Sequence, residues 1–219
     1  NPVEDVFIGS RVESCGLDPW RLGAEIWGFG ERGELTSLCY AGANLVPAQA
    51  GAEAVHAFAE RARRQGRRCS SIVGSAQAAL GLWTLLEPMW GPAREVRPSQ
   101  PLMAIDDAPD VEADPQVRRV LPHEIDVLLP ACVAMFTEEV GVSPLAGDGG
   151  SLYRARVEEI IALGRAFARI EGGAVLFKAE IGAATRDVCQ VQGVWVHPTL
   201  RGRGVVATGT AAVVQQAQA

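Results

Sequence analysis

The sequence predicts a mixed α/β fold in two halves, each a mostly antiparallel sheet flanked by helices. Three observations carry this. Short β-branched and aromatic runs separated by glycine turns alternate with amphipathic helical stretches in both halves. Between them lies DDAPDVEADPQ at residues 106–116, whose five acidic residues and two prolines read as a solvated linker. The 219 residues, 48% hydrophobic and 21% charged, suffice to bury a core in each half. The expected domains are therefore 1–108 and 116–219.

In the first half, Pro2 to Gly16 reads as a helix, because Val3, Val6, Phe7, Val12 and Cys15 recur at roughly helical spacing. AEIWGFG and ELTSLCYAGANLV read as two strands of a hairpin, joined through Glu31, Arg32 and Gly33. Ala52 to Gln65 has Val55, Phe58, Ala59 and Ala62 on one stripe and Gly66 as a stop, the pattern of a helix. RCSSIVG is the next expected strand. Ser75 is placed to cap a helix over AQAALGLWTLLE, with Pro88 as its end, and EVRPSQPLMAI, an extended segment interrupted by prolines, closes the half as its last expected strand.

The second half opens on VRRVL as a strand. Pro122 then starts a helix through Glu124, Ile125, Val127, Leu128 and Leu129, with Pro130 bending or restarting it toward Phe136. Gly147, Gly149 and Gly150 make a loop, and Ser151 is the expected cap of SLYRARVEEIIALG, whose stripe is Leu152, Val157, Ile160 and Ile161. RAFARIE, GGAVLFKAEIGAAT and CQVQGVWVHP read as three antiparallel strands, turning at Gly172 and Gly173, before a Gly-rich turn and a final helical segment.

Composition excludes several functions. With 20 Lys and Arg against 26 Asp and Glu the formal charge is −6, which argues against broad attraction to nucleic acid or to an anionic membrane. No stretch approaches the roughly 18 apolar residues of a membrane helix, and NPVEDVF lacks the basic and apolar regions of a signal peptide, so a cytoplasmic location is expected. The five cysteines are odd in number and form no CxxC pair, so they read as reduced, mostly buried thiols, and no metal site is expected.

The most specific string is VWVHPTLRGRGVV, Val194 to Val206. A strand ending at Val196, a proline turn, and then Arg201, Gly202, Arg203 and Gly204 ahead of a helix bring free backbone N–H groups and the positive helix end to one point. Such a point binds an anion. Glycines let it approach the backbone, and the arginines add charge and donors.

This string resembles the cofactor motif of the GCN5-related N-acetyltransferase (GNAT) family, in which Arg or Gln, two residues, Gly, one residue, then Gly or Ala follow a strand and a turn. The matching residues are Arg201, Gly204 and Val206, the last bulkier than the family prefers. The resemblance extends back to Val117, about half the chain, and implies an acyl-CoA N-acyltransferase-like fold. It further implies that Val194, Trp195 and Val196 bind the pantetheine and acetyl part of acetyl-CoA, or another acyl-CoA, through backbone groups beside a strand bulge. Gly202, Arg203, Gly204, Val205, Val206 and Ala207 would hold the pyrophosphate. In the family further strands and a helix follow the motif helix, so the sequence, which starts at Asn1 and ends at Ala219, is expected to be a fragment or to be completed by something else. The first half, through SLCYAGANLVP, resembles the degenerate acetyltransferase-like domain that some actinobacterial tandem proteins carry before an active one.

Acetyl transfer to an amine needs a group that takes the ammonium proton. Many family members use a Glu on the strand before the motif, where this chain has Gln190 and Gln192, so Glu180 on the preceding strand is the candidate base, against an ordinary polar residue facing solvent or pairing with Lys178 or an arginine. Glu138 and Glu139 are candidates for binding a cationic acceptor, against solvated surface. His197 reads as part of the turn, Trp195 as core, and Tyr153 and Tyr40 qualify as acids by residue type alone. The expected function is an acetyl-CoA-dependent N-acetyltransferase acting by direct transfer on a small-molecule or peptide amine, with a homodimer as a possible assembly. The alternative is a non-catalytic acyl-CoA-binding or interaction module.

Overall fold

The computed structural model describes residues 1–146 and 149–218; Gly147 of the expected glycine loop, and Ala219, lie outside the described residues. The chain divides into two compact units, Asn1–Met103 and Ala104–Ala219. Each is a four-stranded sheet flanked by helices, the mixed α/β architecture the sequence predicts.

The first unit runs α1 (Val6–Cys15), α2 (Pro19–Leu22), β1 (Glu25–Glu31), β2 (Glu34–Ala41), β3 (Asn44–Ala48), α3 (Ala52–Gln65), β4 (Ser71–Ile72) and α4 (Ala76–Trp90). Its sheet order is β1-β2-β3-β4, antiparallel except for the parallel β3/β4 pair. The β1/β2 hairpin closes on Arg32 and Gly33, both at positive φ (50° and 88°), the geometry of a two-residue turn matched to strand twist. Trp27, Leu45, Phe58, Leu82 and Leu86 form the core between sheet and helices.

Four expectations for this unit are corrected. The segment expected as one strand over 34–46 is two, because the chain turns back at Gly42, where a Cβ would lie 2.8 Å from Ala24 and 3.0 Å from the Tyr40 ring. Helix α4 passes through Pro88 and ends at Trp90, since a proline in the last turn forfeits a single backbone bond. The RCSSIVG strand contracts to two residues. The segment 95–105 joins no sheet, as Pro98 and Pro101 remove donors a ladder needs.

Glu25 ties the start of β1 to the end of α3. Its carboxylate accepts from Trp27 Nε1 (2.9 Å), Gln65 Nε2 (3.0 Å), Arg61 Nη2 (2.9 Å) and Arg68 Nη1 (3.4 Å). These donors, led by the indole N–H and the Gln65 amide, pull its pKa down to about 2 from an ordinary 4.5. A carboxyl depressed by folding stabilises fully above its unfolded pKa and loses that contribution as pH falls through the folded one. Thermal stability is therefore expected to drop as pH is lowered from about 5 toward 2, with a shallower acid dependence in Glu25→Gln.

The second unit runs β5 (Arg118–Arg119), a 3₁₀ turn at Pro122–Glu124, α5 (Ile125–Val140), α6 (Ser151–Ala162), β6 (Ala166–Glu171), β7 (Ala174–Ala184), β8 (Cys189–Val196) and α7 (Val205–Gln218). The sheet is antiparallel in the order β5-β6-β7-β8, so β8 is an edge strand. Strand alternation sends Ala166, Ala168 and Trp195 to the face covered by α5 and α6, where they meet Leu128, Cys132 and Ile160. Phe167, Phe177, Ala179 and Val196 face α7, against Ala212 and Val213.

Here α5 is one continuous helix through Pro130. Gly150 at φ 84°, rather than Ser151, occupies the cap position of α6, and Leu152 is 78% exposed, so the buried stripe reduces to Val157, Ile160 and Ile161. The VRRVL strand pairs only at Arg118 and Arg119. Among the described residues no helix is long and apolar enough to cross a membrane, no group of three or more His, Cys, Asp or Glu is placed to hold a metal ion, and all five cysteines are free thiols.

Candidate active site

Strand β8 breaks step with β7 halfway along. Lys178 pairs with Trp195 and Glu180 with Gln192, so Ala179 alone on β7 faces both Gly193 and Val194 on β8. This is a β-bulge, a feature that bends an edge strand and re-aims its side chains. Gly193 sits at φ 60°, and a Cβ there would lie 3.0 Å from the Glu180 carboxyl carbon. Backbone conformation therefore favours glycine, and a side chain there would press on Glu180.

Two donors fix that carboxylate. Gln192 Nε2 donates to Glu180 Oε1 at 3.0 Å, and Lys178 Nζ to Oε2 at 3.4 Å. A second irregularity, at Gly182 on β7, makes room for the Gln192 amide, which a Cβ at that position would overlap. Lys178 is 1% exposed, and its ammonium also touches Cys132 Sγ (3.5 Å) and Met135 Sδ (3.6 Å) on α5. Burial pushes the Cys132 thiol pKa up, and burial likewise raises that of Tyr153, whose hydroxyl donates to Cys132 O at 3.0 Å. Tyr153 thus stays protonated and occupied within the fold.

At its C-terminal end β8 is fastened to α5. Trp195, 9% exposed, donates from Nε1 to Glu138 Oε1 at 3.3 Å, while Glu138 Oε2 accepts from Arg201 Nη2 at 2.7 Å. Arg201 Nε donates to Val196 O at 3.1 Å. The Arg201 guanidinium, with the indole N–H behind it, holds the Glu138 carboxyl below the usual carboxylate range. Glu138 and Arg201 form a strut that anchors the turn, and Glu139 is exposed on the same helical turn. His197 Nδ1 lies 2.8 Å from Thr199 Oγ1, inside the 3₁₀ turn Pro198–Leu200.

After this anchored turn the chain opens. Gly202 and Gly204 take φ of 73° and 78°, with nothing within 4 Å of the place a Cβ would occupy. The first bonds of α7 run from Ala207 and Thr208 N–H to Gly204 O, and the N–H groups of Val205 and Val206 have no backbone acceptor among the described residues, as helix-end donors commonly do not. Arg203 is exposed, and Val206 is 53% exposed. Backbone donors, an exposed guanidinium and open space suit a pyrophosphate.

Of the residues singled out in the sequence, the fold gathers Val194, Trp195, Val196 and Arg201–Ala207 along β8 and its turn, with Glu180 at the bulge and Glu138 beneath the turn. Sequence reading missed the burial of Lys178 and the role of Gly193. The signals were a lone lysine in the apolar run VLFKAEIG and a glycine amid the β8 residues.

Comparison with known families matches residues 24–128 to DUF4081, described as a domain of unknown function. Among solved structures the chain is similar to an acetyltransferase from the GNAT family from Colwellia psychrerythraea, at 12% identity and a TM-score of 0.48, covering 98% of this chain and 80% of that one. No curated protein matches.

Proposed function

We propose that the second unit binds an acyl-CoA and transfers its acyl group directly to a primary amine, on a small molecule or a peptide. One observation carries this reading: an open Arg-Gly-Arg-Gly turn at a helix N-terminus follows a bulged edge strand that has a carboxylate on its bulge. Arg203 and the N–H groups of Gly204, Val205 and Val206 would hold the pyrophosphate. The free edge of β8 from Val194 to Val196 would align the pantetheine arm through backbone bonds. Bound acyl-CoA supplies a thioester carbonyl open to attack by an amine. Glu180 is positioned to accept the proton the amine must lose, directly or through water. The first unit would be a degenerate counterpart without an Arg-Gly-x-Gly turn.

A second reading, an acyl-CoA-binding module without catalysis, is favoured by one feature: both Glu180 oxygens already have donors. CoA release from acetyl-CoA, measured with a panel of primary amines, separates the two. Amine-dependent release is expected. Acetyl-CoA binding without release on any amine would favour the module.

A further inference from the structure

We propose that Lys178 is the positioning residue of the transfer site, holding the Glu180 carboxylate over the β8 bulge, and that the chain keeps this buried ion pair for that purpose rather than for stability. The inference rests on the acyl-transfer reading above.

The geometry is specific. Lys178 and Glu180 are two residues apart on β7 and so share a face of the sheet. Lys178 is 1% exposed and, among the described residues, Glu180 is its anionic partner; the two sulfurs at 3.5 and 3.6 Å are weak acceptors. The carboxylate spans from this ammonium to the Gln192 amide and lies against Gly193, where β8 departs from regular pairing. Its orientation is set from both sides.

Such a pair does little for the fold. Desolvating two charges commonly offsets their attraction, and apolar side chains of similar size often serve as well, whereas removing one partner strands the other. The neighbours of the Lys178 ammonium on α5, Cys132 and Met135, and the residue that pairs with Lys178 on β6, Ala168, are of a kind that accepts a methionine. What an apolar replacement would not supply is a fixed carboxylate at the bulge. Misplacing a reacting group by about 1 Å costs rates of the order of a hundredfold.

The test compares the full chain with Lys178→Met, Lys178→Gln and the double variant Lys178→Met/Glu180→Gln. Calorimetry with acetyl-CoA, CoA release with the amine panel and thermal unfolding are measured on each. Lys178→Met is expected to bind acetyl-CoA within about twofold of the wild type and to lose at least about tenfold in kcat with KM for the amine little changed, the mark of an interaction used in the transition state. Lys178→Gln, which keeps a donor without the charge, should retain more kcat than Lys178→Met. The double variant should unfold at or above the wild-type temperature. An active wild type whose Lys178→Met variant keeps its kcat overturns this inference alone, as does a double variant less stable than the wild type. A wild type without binding or turnover overturns the functional reading, and this inference with it.

Discussion

Arg203→Glu is expected to weaken acetyl-CoA binding by roughly ten- to a hundredfold, the effect of losing a hydrogen bond to a charged group worth about 1.5–3 kcal/mol. Arg203 is exposed beyond the strut that fastens Arg201, and it has no ion pair among the described residues, so reversing its charge disturbs no internal contact. Arg201→Glu would be a poorer test. Its guanidinium holds Glu138 and the Val196 carbonyl, and its loss would loosen the turn itself. The expected signature in calorimetry is therefore a raised Kd in Arg203→Glu with an unchanged unfolding temperature. The loss should shrink with added salt, because an exposed guanidinium acts through screened charge.

Phe177→Ala is expected to destabilise the second unit by about 3–5 kcal/mol, the range for emptying a fully buried aromatic site. Phe177 is 0% exposed, pairs with Val196 on the edge strand, and packs so tightly beneath α7 that a Cβ on Gly209 would lie 2.6 Å from its ring. The helix cannot settle into the vacated space without dragging its N-terminus, so the cavity term should persist. Chemical denaturation followed by tryptophan fluorescence, in a chain whose four tryptophans in residues 1–103 are replaced by phenylalanine, reads this through Trp195, the one tryptophan in residues 104–219. A loss below about 1 kcal/mol would mean that α7 does not rest on the sheet as described.

Local signals carried most of the secondary structure. Helix α3 begins and ends where the Val55, Phe58, Ala59 and Ala62 stripe and Gly66 put it. Strands β6 to β8 fall on the three β-rich runs, and the Arg-Gly-Arg-Gly turn precedes a helix. What escaped was tertiary. Gly42 splits a strand because Ala24, eighteen residues earlier, packs where a side chain would go. Pro88 is tolerated because of its place in the helix, and the 95–105 segment fails to pair for want of donors rather than of apolar residues.

The same divide runs through the site. The Arg-Gly-Arg-Gly turn is contiguous and can be read from spacing, whereas the Glu138–Arg201 contact joins residues 63 apart in sequence and the Lys178–Cys132 contact joins residues 46 apart. Nothing in a β-strand pattern distinguishes a lysine that reaches solvent from one closed over by a helix. Glu180 was legible as a carboxylate near the motif strand. That Gly193 makes a seat for it required the register of β7 against β8.

If the turn at residues 201–206 holds the pyrophosphate of an acyl-CoA, amide chemical-shift mapping of the ¹⁵N-labelled chain during an acetyl-CoA titration will show it. The expected result is saturable movement of the Gly202, Arg203, Gly204, Val205 and Val206 amide signals, and in Arg203→Glu a response of the remaining amides that needs roughly ten- to a hundredfold more acetyl-CoA. Saturable binding that leaves those amides in place and moves others, or a folded chain with no response to acetyl-CoA, would contradict it.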